Sequence, residues 1–236
     1  CCNLHGIHFK IVKNDRDKIT VKFCHHRNYG FECIREGDTL AFIDPKTLLE
    51  VGRSKVLHAT LRDDYYYDLV LSTYEAPLDV GGVVENISAC PDFEFNGNTL
   101  NRIMGVGVSV TTRGRIRIEN NRFLNTGEDG IRISDDASTH YESGFVKDVI
   151  ISGNAFMNCE ENAILVKPEN KKFAGPVHNN IVIENNLFII NNIYAVNISD
   201  SANILLRDNV YKGKPANYRW VNTKNVVNVT TDCPQK

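Results

Sequence analysis

The stretch IRIENNRFLNTGEDGIRISDD (116–136) decides the fold. It opens with apolar and polar residues in alternation, the period of a strand with one buried face. Asn121 and, two residues on, the large apolar Phe123 follow. Working outward, the same pattern returns in FEFNGNTL (93–100), VIISGNAF (149–156), IVIENNLF (181–188) and ILLRDNVY (204–211), with a weaker copy in KNVVNVTT (224–231). The anchoring residues Asn98, Asn121, Asn154, Asn186 and Asn209 follow one another at intervals of 23, 33, 32 and 23 residues. The unit is therefore about 23 residues long, and two units carry some ten residues more.

Each unit holds a second strand. Eight and ten residues past the apolar anchor stand Val108 and Val110, Ile131 and Ile133, Ile164 and Val166, then Val196 and Ile198. All eight are β-branched, the side-chain type that packs best on a pleated, buried surface. Short strands on such a period predict an all-β, right-handed parallel β-helix, whose coils stack at about 4.8 Å. A leucine-rich repeat has the same length, but the leucines it requires are absent. The repeated asparagines read as turn and stacking elements, because Asn tolerates the left-handed conformation and hydrogen-bonds locally.

The first third breaks the register. HGIHFKIV (5–12) is consistent with one more coil, whereas DKITVKF (17–23), FECI (31–34), TLAFID (39–44), KVLHATL (55–61) and YDLVLSTY (67–74) read as short strands joined by Gly, Asp and Pro turns. The expected organisation is a β-helix over 1–14 and 86–236, interrupted over 15–85 by a small antiparallel barrel or sandwich.

Composition limits the function classes. With 27 Lys and Arg against 29 Asp and Glu, the net charge is −2, without the basic excess of an electrostatic nucleic-acid binder. Hydrophobic residues make up 42%, enough for a packed core, but the apolar runs are too short for a membrane-crossing helix. The chain starts at Cys1 without an initiator methionine or a signal-peptide pattern, and reads as a piece of something longer. Its seven cysteines, Cys1, Cys2, Cys24, Cys33, Cys90, Cys159 and Cys233, include no C-x-x-C pair. They read as packed or incidental thiols, with a Cys24–Cys33 bridge left open.

Function in such a fold is expected where turns lengthen beside one face. The two expansions are SDDASTHYESGFVKD (134–148) and KPENKKFAGPVHNN (167–180). In register, Thr111–Arg113, Ser134–Asp136, Lys167–Glu169 and Ser199–Ser201 form one cross-coil patch. It carries Arg113, Asp135, Asp136, Lys167 and Glu169, with Tyr141 and Glu142 on the overhanging loop. Carboxylates beside cations and an aromatic ring suit the holding and cleavage of sugars. The pair Asp135–Asp136 either supplies a general acid or base, caps a turn, or binds calcium. Asp136 and Glu169, one coil apart, are the weaker candidates for a catalytic pair. His5 and His8 lack companions at metal-ligand spacing, and His25 and His26 fall at the start of the insertion.

Several of these stretches resemble the α-1,3-galactosidases of glycoside hydrolase family 110. They are residues 111–156, VKPEN (166–170), HNNIVIENNLF (178–188), GDTLAFIDPKTLLEVG (37–52) and NLHG (3–6), the last similar to the family's Asn-x-His-Gly motif. His140 stands where the family usually carries a Trp before Tyr-Glu-Ser-Gly. The resemblance implies a β-helix interrupted by a barrel, and inverting hydrolysis of a terminal α-linked galactose on a glycan, with no metal or other cofactor. It also implies export to a periplasmic or extracellular setting. Asn3 and His5 would be site residues, with Asp135, Asp136, Tyr141 and Glu142 lining the cleft. The family's Asp-Asp pair just before Asn-x-His-Gly would fall ahead of Cys1, so the principal catalytic aspartates are expected upstream of this chain. Two other readings compete: a non-catalytic carbohydrate-binding β-helix, and a calcium-dependent polysaccharide lyase using Lys167 or Arg132 as base.

Overall fold

The computed structural model describes residues 1–73, 76–190, 194–213 and 218–229. Cys233 and the end of the weak last repeat, 230–231, lie outside the described residues. The repeat builds three parallel sheets that run the length of a β-helix. In the first sheet Val108 pairs with Ile131, Ile131 with Ile164, and Ile164 with Val196, which is the ladder that the eight β-branched residues predict. In the second, Ile116 pairs with Val149, Val149 with Ile181, and Ile181 with Ile204. The third stacks rings. Phe123, Phe156, Phe188 and Tyr211 lie nearly parallel, with successive centroids 4.9, 5.1 and 5.1 Å apart. Each buried side chain of this kind contributes about 1.5–3 kcal/mol through loss of apolar surface.

The asparagine anchors do one of the two jobs expected of them. Asn121, Asn154 and Asn186 are buried and form a ladder. Nδ2 of Asn121 donates to Oδ1 of Asn154 at 3.0 Å, and Nδ2 of Asn154 to Oδ1 of Asn186 at 3.0 Å. The other amide hydrogen satisfies a carbonyl of an earlier coil, as from Asn154 Nδ2 to Ile118 O at 2.8 Å. The left-handed turn itself falls one residue earlier, at Asn120, Gly153, Asn185 and Asp208. An interior amide must spend its hydrogen bonds across coils, so the positive φ passes to its exposed neighbour.

Between the first and second rungs the chain leaves the helix to form a closed six-stranded barrel. The strands, in spatial order, are Phe9–Asp15, Lys18–Phe23, Tyr66–Leu71, Glu50–Arg62, Thr39–Ile43 and Val83–Asn86. The boundary expected after residue 14 is corrected. Only Cys2–Ile7 forms the first rung, beside Val108–Thr111, whereas Phe9–Asp15 pairs antiparallel with Lys18–Phe23 and joins the barrel. Alternation alone does not distinguish a coil strand from a barrel strand, and Phe9 and Ile11 fill the barrel core with Val21, Phe23 and Tyr67. Cys24 and Cys33 are both free thiols.

The barrel is fixed to the helix. Ala41, Ile43, Leu48 and Val83 of the barrel pack with Ala137 and Val177 of the two expanded turns. Arg113, buried, donates from Nη1 to Glu50 at 2.7 Å and from Nε to Glu85 at 2.8 Å, and its guanidinium lies 4.1 Å from the Phe145 ring centre.

Candidate functional site

The first rung presents alternate side chains outward, and Asn3 and His5 stand on that face. Beside them the expanded turn after Ile133 folds back. The carboxylate of Asp136 accepts hydrogen bonds from the backbone N–H groups of Ser138, Thr139 and His140, at 2.7, 3.0 and 2.6 Å. Asp136 N–H donates to Glu142 O at 2.9 Å. The loop is then tied to the strand that leaves the first rung. His8 N–H donates to Tyr141 O at 2.9 Å, and Gly6–Ile7 pairs antiparallel with Glu142–Ser143. Tyr141 takes a left-handed φ of 57°, which reverses the chain.

These ties aim Glu142 at the rung. Its Oε1 accepts from Asn3 Nδ2 at 3.1 Å and lies 3.4 Å from His5 Nε2. His5 Nδ1 is 2.7 Å from Gly6 O; a carbonyl only accepts, so Nδ1 carries a hydrogen and Nε2 is the nitrogen turned to Glu142. The side chains of His5 and Glu142 are 22% and 20% exposed, open enough to meet a ligand. A carboxylate, an amide and an imidazole on one face can hydrogen-bond sugar hydroxyls and pass a proton. From His5 and Gly6 a cleft of about 500 Å³ runs along the barrel, walled by Glu32, Arg35, Asp38 and Asn86.

Of the residues singled out in the sequence, the structure therefore brings Asn3, His5 and Glu142 together. The others take different positions. Asp135 is buried, 2% exposed, with Oδ1 2.7 Å from His8 Nε2. Burial pushes the Asp135 carboxyl upward, although His8 opposes this. Burial likewise disfavours charge on His8, but Asp135 overcomes it and raises the imidazole. The two groups are spent on each other, and Asp135 does not line the cleft. Asp136 acts as the turn cap: burial alone would raise its pKa, but the N–H groups of His140, Ser138 and Thr139 hold the carboxylate below its usual range. An ionised carboxylate with its oxygens occupied cannot serve as the general acid. Arg113 is committed to Glu50 and Glu85.

Lys167 and Glu169 are exposed and pair with each other at 3.2 Å, while Arg132, the other lyase base considered, pairs with Asp129 at 2.7 Å. Backbone bonds from Lys167 N–H to Ile133 O and from Glu169 N–H to Asp135 O, at 2.9 and 2.8 Å, keep the predicted coil register. Tyr141 packs against the Ala41–Ile43–Leu48 cluster at the barrel junction. The expected cross-coil patch is thus largely roofed over. Thr111 donates to Gly144 O at 2.6 Å, and a Cβ on Gly144 would stand 2.9 Å from Thr112 Cα, so the folded-back turn lies flat on that corner. No group of three or more His, Cys, Asp or Glu among the described residues is arranged to hold a metal ion.

Sequence reasoning named His8 only as lacking metal-ligand companions, and it missed Glu50, Glu85, Glu32 and Arg35. Each owes its place to the barrel's position, which the repeat register does not encode.

Comparison with known proteins agrees with this architecture. Residues 18–80 match a family described as GLAA-B beta-barrel domain II, and residues 81–232 match one described as right handed beta helix region. An α-1,3-galactosidase A of Bacteroides thetaiotaomicron is 36% identical over 186 residues, covering 77% of this chain and 33% of the relative. A protein of the same name from Peterkaempfera griseoplana is 30% identical over 260 residues, covering 98% of this chain and 36% of the relative. The α-1,3-galactosidase B of B. thetaiotaomicron is 32% identical over 238 residues, covering 92% of this chain and 38% of the relative. The chain spans about a third of the length of these curated relatives.

Proposed function

The chain belongs to the right-handed β-helix family, and from that premise we propose that it forms the cleft-bearing part of a glycoside hydrolase that removes terminal α-1,3-linked galactose from a glycan. The observation that carries the reading is the Asn3–His5–Glu142 cluster, with Glu142 held 3.1 Å from Asn3 at the mouth of a polar cleft. The names of the relatives supply the linkage.

Inverting hydrolysis needs a carboxylic acid for the leaving oxygen and a carboxylate that activates water from the opposite face, about 6.5–9.5 Å apart. Asp136 is spent on its turn and Glu169 on Lys167, so neither is favoured for these roles. We place the acid and base on aspartates in chain preceding Cys1, as the resemblance implies. In this scheme Asn3 and Glu142 hold galactose hydroxyls, and His5, between Glu142 and the Gly6 carbonyl, donates to or accepts from the sugar according to its protonation.

The test is hydrolysis of p-nitrophenyl α-galactoside and of galactosyl-α-1,3-galactose by the full-length protein, with the anomer first released followed by NMR. β-Galactose as the first product, and no turnover by residues 1–236 alone, are the expected results. Strong turnover by residues 1–236 alone overturns the placement of the acids. Binding of galactosides by the full-length protein without cleavage replaces the enzyme by a carbohydrate-binding β-helix.

A further inference from the structure

The cleft beside His5 has one wall with two charged side chains that the fold leaves unpaired. That wall is the barrel segment 31–38. It is pinned from behind: Asn86 Nδ2 donates to Cys33 O at 2.8 Å and to Asp38 Oδ2 at 2.7 Å, and Arg35 N–H donates to the same Asp38 oxygen at 2.8 Å. The backbone of the wall is therefore set before any ligand arrives. Two of its long side chains, those of Glu32 and Arg35, are free. Glu32 and Arg35 line the cleft, are exposed, and make no side-chain hydrogen bond or ion pair among the described residues. By contrast, the guanidinium groups of Arg53, Arg62, Arg115, Arg117 and Arg207 each hold a carboxylate.

The volume, about 500 Å³, falls within the range of roughly 300–1,000 Å³ typical of small-ligand sites. The neighbouring space lined by Gly6, Thr112 and Arg113 holds only about 30 Å³, too little for a sugar ring. Glu32 and Asp38 set two carboxylates beside the one guanidinium of Arg35 in the lining, so the wall carries an acidic excess that disfavours an anionic ligand. The guanidinium fork donates to neighbouring hydroxyls and the carboxylate accepts from them.

We propose that this cleft is the leaving-group subsite: it takes a neutral, hydroxyl-rich sugar whose oxygen is bonded to the departing galactose, and Arg35 and Glu32 are its hydrogen-bonding partners. The assignment rests on the galactosidase reading and deepens it. Galactose itself sits on the Asn3–His5–Glu142 face, and the barrel decides what galactose is released from.

The test compares kcat/KM of the full-length protein for galactosyl-α-1,3-galactose with that for p-nitrophenyl α-galactoside. The ratio of the two values is insensitive to the fraction of active enzyme, so a partly folded variant still gives a valid reading. Arg35→Ala is expected to lower the ratio roughly tenfold or more, because a hydroxyl loses a charged partner. Glu32→Gln lowers it severalfold, through KM for the disaccharide, and Arg35→Lys restores part of the loss. Arg62→Ala, which removes a partner of Asp68 and no part of the cleft lining, leaves the ratio at the wild-type value. A ratio within twofold of wild type in both Arg35→Ala and Glu32→Gln overturns the assignment while leaving the galactosidase reading intact. Wild-type protein that cleaves neither substrate overturns both.

Discussion

The β-helix and the barrel are stabilised by different logic. In the helix, each rung repeats the contacts of the one below: Phe156 meets Phe123 and Phe188 in the same stacked geometry, and Asn154 bridges Asn121 and Asn186 through equivalent bonds. In the barrel no contact recurs. Phe9, Phe23 and Tyr67 meet at interplanar angles of 59, 86 and 47°, each pair solved separately. A repeating structure fixes where side chains lie along its axis, whereas an inserted one decides which of them remain in contact with water.

The comparison can be broken, most severely, within the ring stack. Phe156→Ala removes the shared partner of two stacked rings and leaves a cavity, at an expected cost of about 3–5 kcal/mol. Urea unfolding should show it as a large fall in midpoint; a loss below about 1 kcal/mol would mean that the rungs act independently. Next comes the asparagine ladder. Asn154→Ala strands the Ile118 carbonyl and the amide of Asn121 inside the helix, at about 1–3 kcal/mol for each buried group left unsatisfied. Asn154→Asp should be no milder, since it adds a buried charge.

The barrel junction sharpens the contrast through pH. Because Asp136 is held below the usual carboxylate range in the folded protein, its contribution is fully present above the unfolded value, about 3.9. It is lost as pH falls through the lower folded value. Asp136→Asn should therefore destabilise the protein at pH 7, by about 1 kcal/mol as for other lost caps, and flatten the acid limb of the stability–pH curve below about pH 4. An unchanged acid limb would remove Asp136 from the turn. The smallest effect on stability is expected at the site. Glu142→Gln, at a partly exposed carboxylate, should shift stability by no more than about 0.5 kcal/mol while lowering kcat/KM for α-galactosides at least tenfold. Retained activity would remove Glu142 from the galactose site.

Much of this was legible because repetition multiplies a weak local signal. One strand such as IRI (131–133) says little, but four β-branched pairs in the same register point to the coil, its period and its inward residues. NLHG and Tyr-Glu-Ser-Gly marked Asn3, His5 and Glu142 through resemblance, but the antiparallel pairing of Gly6–Ile7 with Glu142–Ser143 is what brings the two segments together. The same register misled at Arg113 and Asp135. It placed them correctly along the axis but treated that corner as open, whereas the barrel and the folded-back turn cover it. Asp136 was visible as one of a pair, but that its carboxylate would cap residues 138–140 depended on the turn's path.

The sequence by itself determined the rungs, because their contacts join residues at nearly constant intervals and each copy reinforces the others. Only the tertiary structure decided which charges face a ligand. The contacts between barrel and helix, from Glu50 and Glu85 to Arg113 and from His8 to Asp135, join residues that no period relates. Whether a carboxylate is buried as a partner or exposed as a ligand is settled there, by what happens to pack against it.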